Sequence, residues 1–466
     1  MHAHNSSGSA VPSPRENTGP VPAEFTGASD PEHHSGHRAV RALRRAALAA
    51  LALALMAGCE THRAPIATAP AATDDASADA SISVDELGAS SKTPRIPPST
   101  LGGPIAGLDA SQQARFDAGL DDFAEEETIE DGIGPVFNEV SCKTCHDQPV
   151  GGTTGRTETR FGRVVDGRFD PLAEKGGSLM QDHAIGAVAA LAGTYTFVPE
   201  VVPPEANVVA TRITTPLFGL GLVDAVPDNT FLELARLEAI RSPSTAGVPS
   251  MTTEITTGAT RVGKFGWKCQ EPTLHQFSAD AYLNEMGVTS AQFPDESCPQ
   301  GDCSKLAFNP VPTLNNDGTD VARFEDLMTL FAPPPRNDRG YHSPVGGAVF
   351  RAIGCANCHT PALVTGPSPV AALSNKVFEP FSDFLLHDMG SLGDGITQGS
   401  ASGRQMRTAP LWGLETDRHT YLHDGRAKSV EAAILAHAGQ GQFARDRFLR
   451  LNPGMRNHLL TFLRSL

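Results

Sequence analysis

Two five-residue motifs combine residue types and a spacing that suit the covalent attachment of a haem. In each, two cysteines are separated by two residues, and a histidine directly follows the second cysteine. Two thiols at this spacing can bond to both vinyl groups of one haem, and the adjacent imidazole can then ligate the iron. The motif residues are Cys142, Cys145 and His146, and Cys355, Cys358 and His359. The sequence therefore predicts two covalently bound haem c groups.

Other cysteine chemistry is open to this chain. A CxxC pair can exchange disulfides or ligate zinc, but neither use needs a histidine directly after the second cysteine. Cys298 and Cys303 are close in sequence and predict a short disulfide loop in an oxidising compartment. Cys269 is then left free or buried.

A similar segment follows each motif. It begins at Arg212 in one half and at Arg407 in the other, and both copies contain threonine, proline, leucine, an aromatic residue and glycine in that order. The two halves therefore look like copies of one haem domain. A guanidinium can pair bidentately with a carboxylate, so both arginines are candidate partners of haem propionates. A purely structural role for each arginine is the alternative.

The elements around the motifs are predicted to be helical. Apolar-periodic segments at 128–140 and 346–354 lead into the two motifs, and each predicts a short helix. The 45 Gly and 36 Pro among 466 residues indicate many loops. We therefore expect a mainly α fold: two cytochrome c-like haem domains with loop-rich insertions and a few short strands around 198–260.

The N-terminus resembles a lipoprotein signal. Arginines precede the apolar run 46–57, which is too short to span a bilayer, and small residues then lead to Cys59. Acylated Cys59 would anchor the protein to a membrane. An ordinary signal peptide with an incidental cysteine is the alternative. We expect the periplasmic face of a bacterial membrane, and Glu60, where Asp would mark inner-membrane retention, favours the outer membrane.

Four regions follow from these signals. Residues 1–59 are predicted to be the signal peptide, and 60–104, rich in Ala, Thr, Ser, Asp and Pro, a flexible tether. Residues 105–335 would form the N-terminal cytochrome c domain with an insertion. Residues 336–466 would form the C-terminal cytochrome c domain.

The charge balance bears on partners. The chain has 37 basic and 53 acidic residues, a formal net charge of −16. This balance argues against nucleic acid as a partner, because binding phosphates needs a basic surface. A small basic redox protein, as electron donor or acceptor, suits such a surface. A solvated acidic surface without a partner is the alternative.

Four further stretches carry a family resemblance. Residues 265–268, 381–390, 407–414 and 421–427 resemble the di-haem oxidoreductases related to bacterial di-haem cytochrome c peroxidases. The likeness covers about 108–466. It implies that the N-terminal haem reacts with peroxide and that the C-terminal haem is a six-coordinate electron relay.

The resemblance also implies the second ligand of the relay haem. In the family this ligand falls on a helix just after the segment 421–427, and the aligned residue here is His437. Bis-histidine ligation by His359 and His437 would lower the haem potential relative to a methionine ligand. His387 and Met389 are rival ligands, and His423 is expected to brace its loop by hydrogen bonding.

Three catalytic positions follow from the same resemblance. The family places a tryptophan between the haems, and a glutamine and a glutamate over the peroxide-reacting haem. The matching residues are Trp267, Gln276 and Glu285, although their spacing departs from the family pattern by a residue or two. A carboxylate beside the iron can move the proton of peroxide, and Trp267 can carry electrons between the irons. A core role for Trp267 and a helix-end role for Glu285 are the alternatives.

A calcium ion between the two domains is part of some of these peroxidases. The asparagine expected directly after Arg212 is Ile213 here, which counts against calcium in this chain.

The resulting hypothesis is an enzyme that reduces hydrogen peroxide or uses it to oxidise a partner. A pure electron-transfer cytochrome is one rival, in which His183 or Met180 would complete the first haem. A dioxygen-dependent oxygenase of the rubber-cleaving type is another. A third is an assembly factor that modifies a neighbouring protein by long-range oxidation.

Overall fold

The computed structural model describes residues 81–190, 192–312, 314–336, 343–415 and 420–466. The chain divides into two compact units, Met1–Ala71 and Ala72–Leu466, and the described residues all belong to the second. The predicted signal peptide and the lipidation site at Cys59 lie outside the described residues. Within the described ranges, every helix is too short or too polar to cross a membrane.

Helices in the described residues are short. In chain order they are α1 (Ala110–Ala124), α2 (Cys142–Cys145), α3 (Leu220–Asp224), α4 (Asp228–Arg241), α5 (Leu274–Met286), α6 (Thr319–Leu330), α7 (Pro344–Ala352), α8 (Val430–Ala436), α9 (Gln442–Arg450) and α10 (Pro453–Arg464). Single 3₁₀ turns lie at Ala173–Lys175, Pro299–Gly301, Cys303–Phe308, Cys355–Asn357, Gly390–Leu392 and Gly439–Gly441.

Strands are numerous and mostly paired in twos. They are β1 (Val136–Phe137), β2 (Thr157–Val165), β3 (Arg168–Asp170), β4 (Leu179–Met180), β5 (His183–Ala184), β6 (Ala187–Ala190), β7 (Gly193–Thr196), β8 (Val208–Ile213), β9 (Ser250–Thr253), β10 (Thr260–Gly263), β11 (Leu363–Val364), β12 (Val377–Phe378), β13 (Leu386–Asp388) and β14 (Gln405–Arg407). The largest sheet is built on β2, which pairs with β3, β4 and β8. The remaining pairs are β1 with β5, β6 with β7, β9 with β10, β11 with β12 and β13 with β14.

The prediction of a mainly α fold is wrong. Helices, 3₁₀ turns included, hold 32% and strands 16% of the described residues, so the fold is mixed, with small scattered sheets. The physical reason lies in segments such as β2 and β8, where threonine, valine, isoleucine and phenylalanine dominate and favour strands. Frequent glycine and proline then keep both helices and strands short.

The two segments before the haem motifs differ from each other. The helix predicted before the second motif is α7, which ends three residues before Cys355. The helix predicted over 128–140 is wrong: this segment is extended and includes β1. Gly134 and Pro135 explain the difference, because proline disfavours the helical region in the residue before it. Gly134 also lies against Gly287, where a Cβ would come within 2.6 Å of the neighbouring Cα.

Each half of the structure packs a helix pair beside its motif histidine. In the N-terminal half α1 packs on α6, and the Phe123 ring of α1 lies 5.9 Å from His146. In the C-terminal half α7 packs on α10, and the Phe350 ring of α7 lies 6.5 Å from His359. The pairs approach closely at Gly119 in α1, where a Cβ would lie 2.7 Å from the carbonyl oxygen of Arg323. The sequence repeat is therefore also a repeat of packing.

Residues 81–104, which the composition predicts to be part of the tether, contact the core. Ile82 is buried, and Ile96 and Leu101 pack against the larger hydrophobic cluster. The backbone of Arg95 forms an isolated parallel β-bridge with Val377 of β12.

Candidate haem sites

Both motif histidines present a free ring nitrogen. His146 Nδ1 donates to the carbonyl oxygen of Gly152 at 3.3 Å, and His359 Nδ1 donates to that of Phe381 at 3.0 Å. A hydrogen bond from Nδ1 fixes the tautomer and leaves Nε2 as the ligating atom. Burial lowers the pKa of both rings to about 4, so both are neutral, as ligation requires.

The N-terminal cavity, defined as the space beside Cys142, Cys145 and His146, has a volume of about 190 Å³. Aromatic side chains from α1, α5 and α6 line one side of it. The other side is polar and holds these charged residues: Glu139, Arg156, Glu158, Arg160, Arg212, Asp280 and Glu285.

The C-terminal cavity, beside Cys355, Cys358 and His359, has a volume of about 210 Å³. Its lining is more apolar, with aliphatic residues from α8, α10 and the repeat segment after Arg407. In the described part of the chain the motif cysteines are free thiols. Paired thiols, a neutral imidazole, an apolar slot and an arginine match the parts of a haem c, so the residues of both cavities fit this group.

His437 lies opposite His359 across the C-terminal cavity. The two ring centroids are 6.5 Å apart, a span that suits one metal ion bonded to both rings at about 2 Å. His437 Nδ1 donates to the carbonyl oxygen of Ala433 at 2.8 Å, which leaves Nε2 for ligation. His437 is the residue directly after α8, which ends at Ala436.

The rival ligands are placed differently. His387 is buried, its Nε2 is 2.9 Å from Asp383 Oδ2, and its Nδ1 is 3.5 Å from Cys358 Sγ. These three side chains also bring ligand atoms within 4.8 Å of one another. Both nitrogens of His387 are thus engaged beside a motif cysteine. Met389 lines the cavity together with His437.

Replacing His437 tests the ligand assignment. In the His437→Ala holoprotein we expect the low-spin electron paramagnetic resonance signal of the C-terminal haem to convert to high spin, because one nitrogen ligand is lost. Added imidazole should restore the low-spin signal. The exposed His458→Ala variant is the control and should leave the spectrum unchanged. An unchanged spectrum in His437→Ala would move the assignment to Met389 or His387.

No second histidine faces His146 among the residues that line the N-terminal cavity. His183 is half-exposed and paired with Asp182 at 2.6 Å, and neither it nor Met180 lines the cavity. The lining thioethers, Met286 and Met328, belong to the hydrophobic core. The two cavities are therefore unlike: one has a histidine on each side, and the other has a histidine facing a charged wall.

Glu285 lies in this charged wall, near the C-terminal end of α5. Asn138 Nδ2 donates to Glu285 Oε2 at 2.7 Å, which orients the carboxyl group. Burial, and next the negative charge of Glu158, raise the pKa of Glu285 to about 8. A carboxyl group that titrates near neutral pH can act as general acid and general base.

Gln276 lies on α5 at least one helical turn away from the charged residues of that wall. Its Oε1 accepts from the backbone of Ile255 at 2.8 Å, and its Nε2 donates to the carbonyl oxygen of Thr253 at 3.4 Å. Gln276 is not among the residues that line the N-terminal cavity. The structure therefore brings Glu285 and Trp267 to the cavity but not Gln276.

Trp267 lines both cavities. Its Nε1 donates to the carbonyl oxygen of Ile213 at 2.9 Å, and its ring makes an edge contact with His423 at 6.2 Å. Trp412, by contrast, is buried in the core against Phe378. Trp267 is thus placed between the two cavities, where an aromatic ring could connect them.

The arginines of the repeat both line a cavity, one each. Arg407 donates from Nε to the carbonyl oxygen of Gly266 at 2.8 Å and faces the C-terminal cavity. Arg212 faces the N-terminal cavity and is held by Asp394 and Gln398. Their roles towards propionates stay predictions.

A buried ammonium group joins the two halves. Lys268 Nζ is 2.8 Å from Asp394 Oδ1 and donates to the carbonyl oxygens of Ser402 and Gln405 at 3.1 and 2.5 Å. The side chains of Lys268 and Asp394 are both 0% exposed, and Arg212 Nη2 is 2.7 Å from Asp394 Oδ2. A side-chain cation therefore sits where acidic and carbonyl oxygens converge.

Sequence reasoning missed several cavity residues. Glu158 and Arg160 come from β2, Asp280 comes from α5, and Asn138 comes from the segment after β1. The alternation of Glu158 and Arg160 along a strand was a usable signal, because residues two apart share a face. The predicted disulfide between Cys298 and Cys303 is confirmed, with an S–S distance of 1.97 Å, and Cys269 is buried and free.

A family profile described as "Di-haem oxidoreductase, putative peroxidase" matches residues 204–466. No curated protein matches the chain. The chain is similar to hydrazine synthase of Kuenenia stuttgartiensis, with 12% identity, a TM-score of 0.32, and 88% of this chain and 100% of that chain covered. It is also similar to a MauG-like protein associated with microbial copper homeostasis, with 14% identity, a TM-score of 0.35, and 81% of this chain and 95% of that chain covered.

Proposed function

The chain belongs to the di-haem oxidoreductase family, and from this premise we propose that it reduces hydrogen peroxide, or uses peroxide to oxidise a partner, at the N-terminal cavity. One observation carries the proposal: His437 faces His359 in one cavity, whereas a protonatable carboxyl group, Glu285, faces the other. Two such unlike sites suit a division between a reacting haem and an electron-relay haem.

The two haems would be held covalently by the four motif cysteines. His146 would ligate one iron, and His359 and His437 the other. When bound, the haems would supply redox-active iron and the electrons for the reduction of peroxide. Arg212 and Arg407 would each pair with a propionate in their own cavity.

Glu285 performs the proton transfer. Asn138 holds its carboxyl group in position on the polar side of the cavity. The Glu285 carboxylate accepts a proton from one peroxide oxygen and returns it to the other, which leaves as water. The overall reaction takes up two protons and two electrons and yields two waters. Trp267, which lines both cavities, is the candidate path for electrons between them.

The electrons would come from, or go to, a small redox protein at the acidic surface. Export and a lipid anchor at Cys59 remain part of this proposal, on the strength of the residues before that cysteine. Dioxygen is the rival substrate, and an electron-transfer cytochrome is the rival function.

Electron paramagnetic resonance of the oxidised holoprotein tests the proposal. We expect one high-spin signal and one bis-histidine low-spin signal, and peroxide or cyanide should change the high-spin signal. Two low-spin signals that ignore both reagents would favour the electron-transfer cytochrome. A stable oxygenated haem in the purified protein, with no peroxide turnover, would favour the dioxygen-dependent enzyme.

A further inference from the structure

The disulfide loop between Cys298 and Cys303 is fastened to a distant part of the N-terminal half. Gln300, inside this loop, has a φ of 51° and a ψ of 31°, in the left-handed region that a non-glycine residue keeps only when its surroundings hold it. Its side chain accepts from the backbone N–H of Val201 at 2.9 Å and donates to the carbonyl oxygens of Lys175 and Val201 at 2.6 and 3.1 Å. The loop therefore grips two segments that lie about 100 residues earlier in the chain.

Glu200 connects this loop to the segment beside the N-terminal cavity. The residue is only 5% exposed, and its two carboxyl oxygens accept from two different backbone N–H groups, that of Gln300 at 2.6 Å and that of Gln181 at 2.9 Å. The N–H of Glu200 in turn donates to the carbonyl oxygen of Gln181 at 2.9 Å. Gly176 approaches so closely that a Cβ would lie 2.6 Å from Glu200 Oε1. One buried carboxyl group thus fixes residue 181 relative to the disulfide loop.

Gln181 and Asp182 continue the connection to the cavity wall. Gln181 is also buried, and its Nε2 donates to the carbonyl oxygen of Asn284, the residue of α5 directly before Glu285, at 3.2 Å. The backbone N–H of Asp182 donates to Asn138 Oδ1 at 3.1 Å. The backbone at 181–182 therefore contacts both the helix that carries Glu285 and the amide that bonds to it.

The bond from Asp182 decides which end of the Asn138 amide faces Glu285. An amide group has one accepting oxygen and one donating nitrogen. Because Asp182 occupies Oδ1, the nitrogen Nδ2 faces Glu285 and donates to Oε2 at 2.7 Å. A donor at this place favours the ionised carboxyl group, whereas an amide turned the other way would present its oxygen and favour the protonated one. The orientation of Asn138 therefore keeps Glu285 able to accept a proton.

We propose that Glu200 is a positioning residue for Glu285: it transmits the position of the Cys298–Cys303 loop, through residues 181 and 182, to the Asn138 amide that holds the Glu285 carboxyl group as a proton acceptor. This inference rests on the proposed function for the role of Glu285. It also gives the disulfide a use, although the residues that line the two cavities include neither Glu200 nor the two cysteines. Glu200 acts through Asn138.

The test follows the protonated carboxyl group of Glu285 by infrared spectroscopy of the holoprotein across a pH titration. The carbonyl stretch that is missing in Glu285→Gln identifies this group. In Glu200→Gln one accepting oxygen becomes an NH₂ donor that faces a backbone N–H, so one of the two bonds of Glu200 is lost. We expect the titration midpoint of Glu285 to move to higher pH by about one unit, because Asn138 is no longer held with its donor towards the carboxyl group.

The direction of this shift is diagnostic. Glu200→Gln removes a negative charge, and that change alone would move the midpoint of Glu285 to lower pH. The charged side chains that line the cavity with Glu285 are unchanged in the variant; they are Glu139, Arg156, Glu158, Arg160, Arg212 and Asp280. The other titratable groups there are also unchanged, namely the thiols of Cys142 and Cys145, His146 and Tyr282. A shift to higher pH therefore reports the hydrogen bond from Asn138.

Opening the disulfide tests the other end of the connection. Cys298→Ser/Cys303→Ser should move the midpoint in the same direction, and it keeps the proposal testable if Glu200→Gln does not fold. Because the loop acts through Glu200, adding Glu200→Gln to the serine pair should shift the midpoint no further than Glu200→Gln does alone. Glu174→Gln, at an exposed carboxylate of the neighbouring 3₁₀ turn, is the matched control and should leave the midpoint unchanged.

The outcomes separate this inference from the proposed function. An unchanged or lowered midpoint in Glu200→Gln overturns the role of Glu200, whatever the enzyme does with peroxide. Shifts that add in full when the variants are combined overturn the connection between the disulfide and Glu200. If the midpoint rises as expected, kcat/KM for peroxide at pH 7 should fall about tenfold with the ionised fraction of Glu285. A raised midpoint in a holoprotein that never reduces peroxide leaves the connection standing and removes the proposed function.

Discussion

Glu285→Gln should lower kcat/KM for hydrogen peroxide by about 10²–10⁴-fold, the usual contribution of a positioned acid–base group. Glutamine keeps the size of the side chain and can still hydrogen-bond to Asn138, so the cavity should keep its shape. It cannot accept a proton from peroxide or return one. Stopped-flow measurement of the peroxide reaction gives the second-order rate constant for the wild-type protein and the variant.

The pH profile sharpens this result. The base form of Glu285 must be present to accept a proton, and its pKa is raised to about 8 by burial and by Glu158. The wild-type rate constant should therefore rise with pH up to about 8 and then level off, whereas the residual rate of Glu285→Gln should lack this rise. Glu325→Gln, at a half-exposed carboxylate beside His275, is the control. A variant that keeps both the wild-type rate and its pH profile would remove Glu285 from the reaction.

The features that the sequence predicts well are those encoded within a few neighbouring residues. The disulfide between Cys298 and Cys303 is confirmed and spans a separation of 5. The two haem motifs are equally local, and covalent haem attachment at them stays a prediction. The recurrence of one segment after Arg212 and Arg407 predicts two similar halves, and the structure has a helix pair beside each motif histidine. Residues that are neighbours in sequence are enough to specify these features, so they can be predicted without knowing the long-range packing.

The secondary structure was harder to predict, because tertiary contacts decide it in a loop-rich chain. The segment 128–140 has a helical pattern of apolar residues, yet it is extended because Gly134 must approach Gly287 and Pro135 follows it. The strands β2 and β8 pair with each other across a long stretch of sequence, from Thr157 with Ile213, which are 56 residues apart, to Gly162 with Val208, which are 46 apart.

The polar side of the candidate site depends on contacts at still longer range. The hydrogen bond from Asn138 to Glu285 joins residues 147 apart in sequence, and Lys268 contacts a carbonyl 134 residues away. No local pattern specifies such partners. The family resemblance singles out Glu285 and Trp267 by their order along the chain, and both line the N-terminal cavity, although their catalytic roles stay predictions. Glu158 lies in a strand to which the resemblance assigns no role.

Lys268→Met should destabilise the protein by about 3–5 kcal/mol, the usual effect of breaking a buried ion pair by removing one partner. Methionine follows the unbranched lysine side chain as far as Cε, so the change mainly deletes the ammonium group and its charge. It leaves Asp394 buried with Arg212 as its remaining cation and leaves the carbonyl oxygens of Ser402 and Gln405 without their donor. Urea denaturation of the holoprotein, followed by circular dichroism, measures the loss. Arg404→Met breaks an exposed pair with Asp388 and should cost only about 0–1 kcal/mol.

The same variant decides between a side-chain cation and a metal ion at this junction. In the wild-type protein the Lys268 ammonium already neutralises Asp394 and binds the two carbonyl oxygens, so chelators should leave the melting temperature unchanged. In Lys268→Met the acidic and carbonyl oxygens remain while their cation is gone, and these are ligands that calcium prefers. Added calcium should then recover part of the lost stability in the variant and none in the wild type. A chelator-sensitive wild type, or a variant as stable as the wild type, would show that Lys268 does not hold the two halves together.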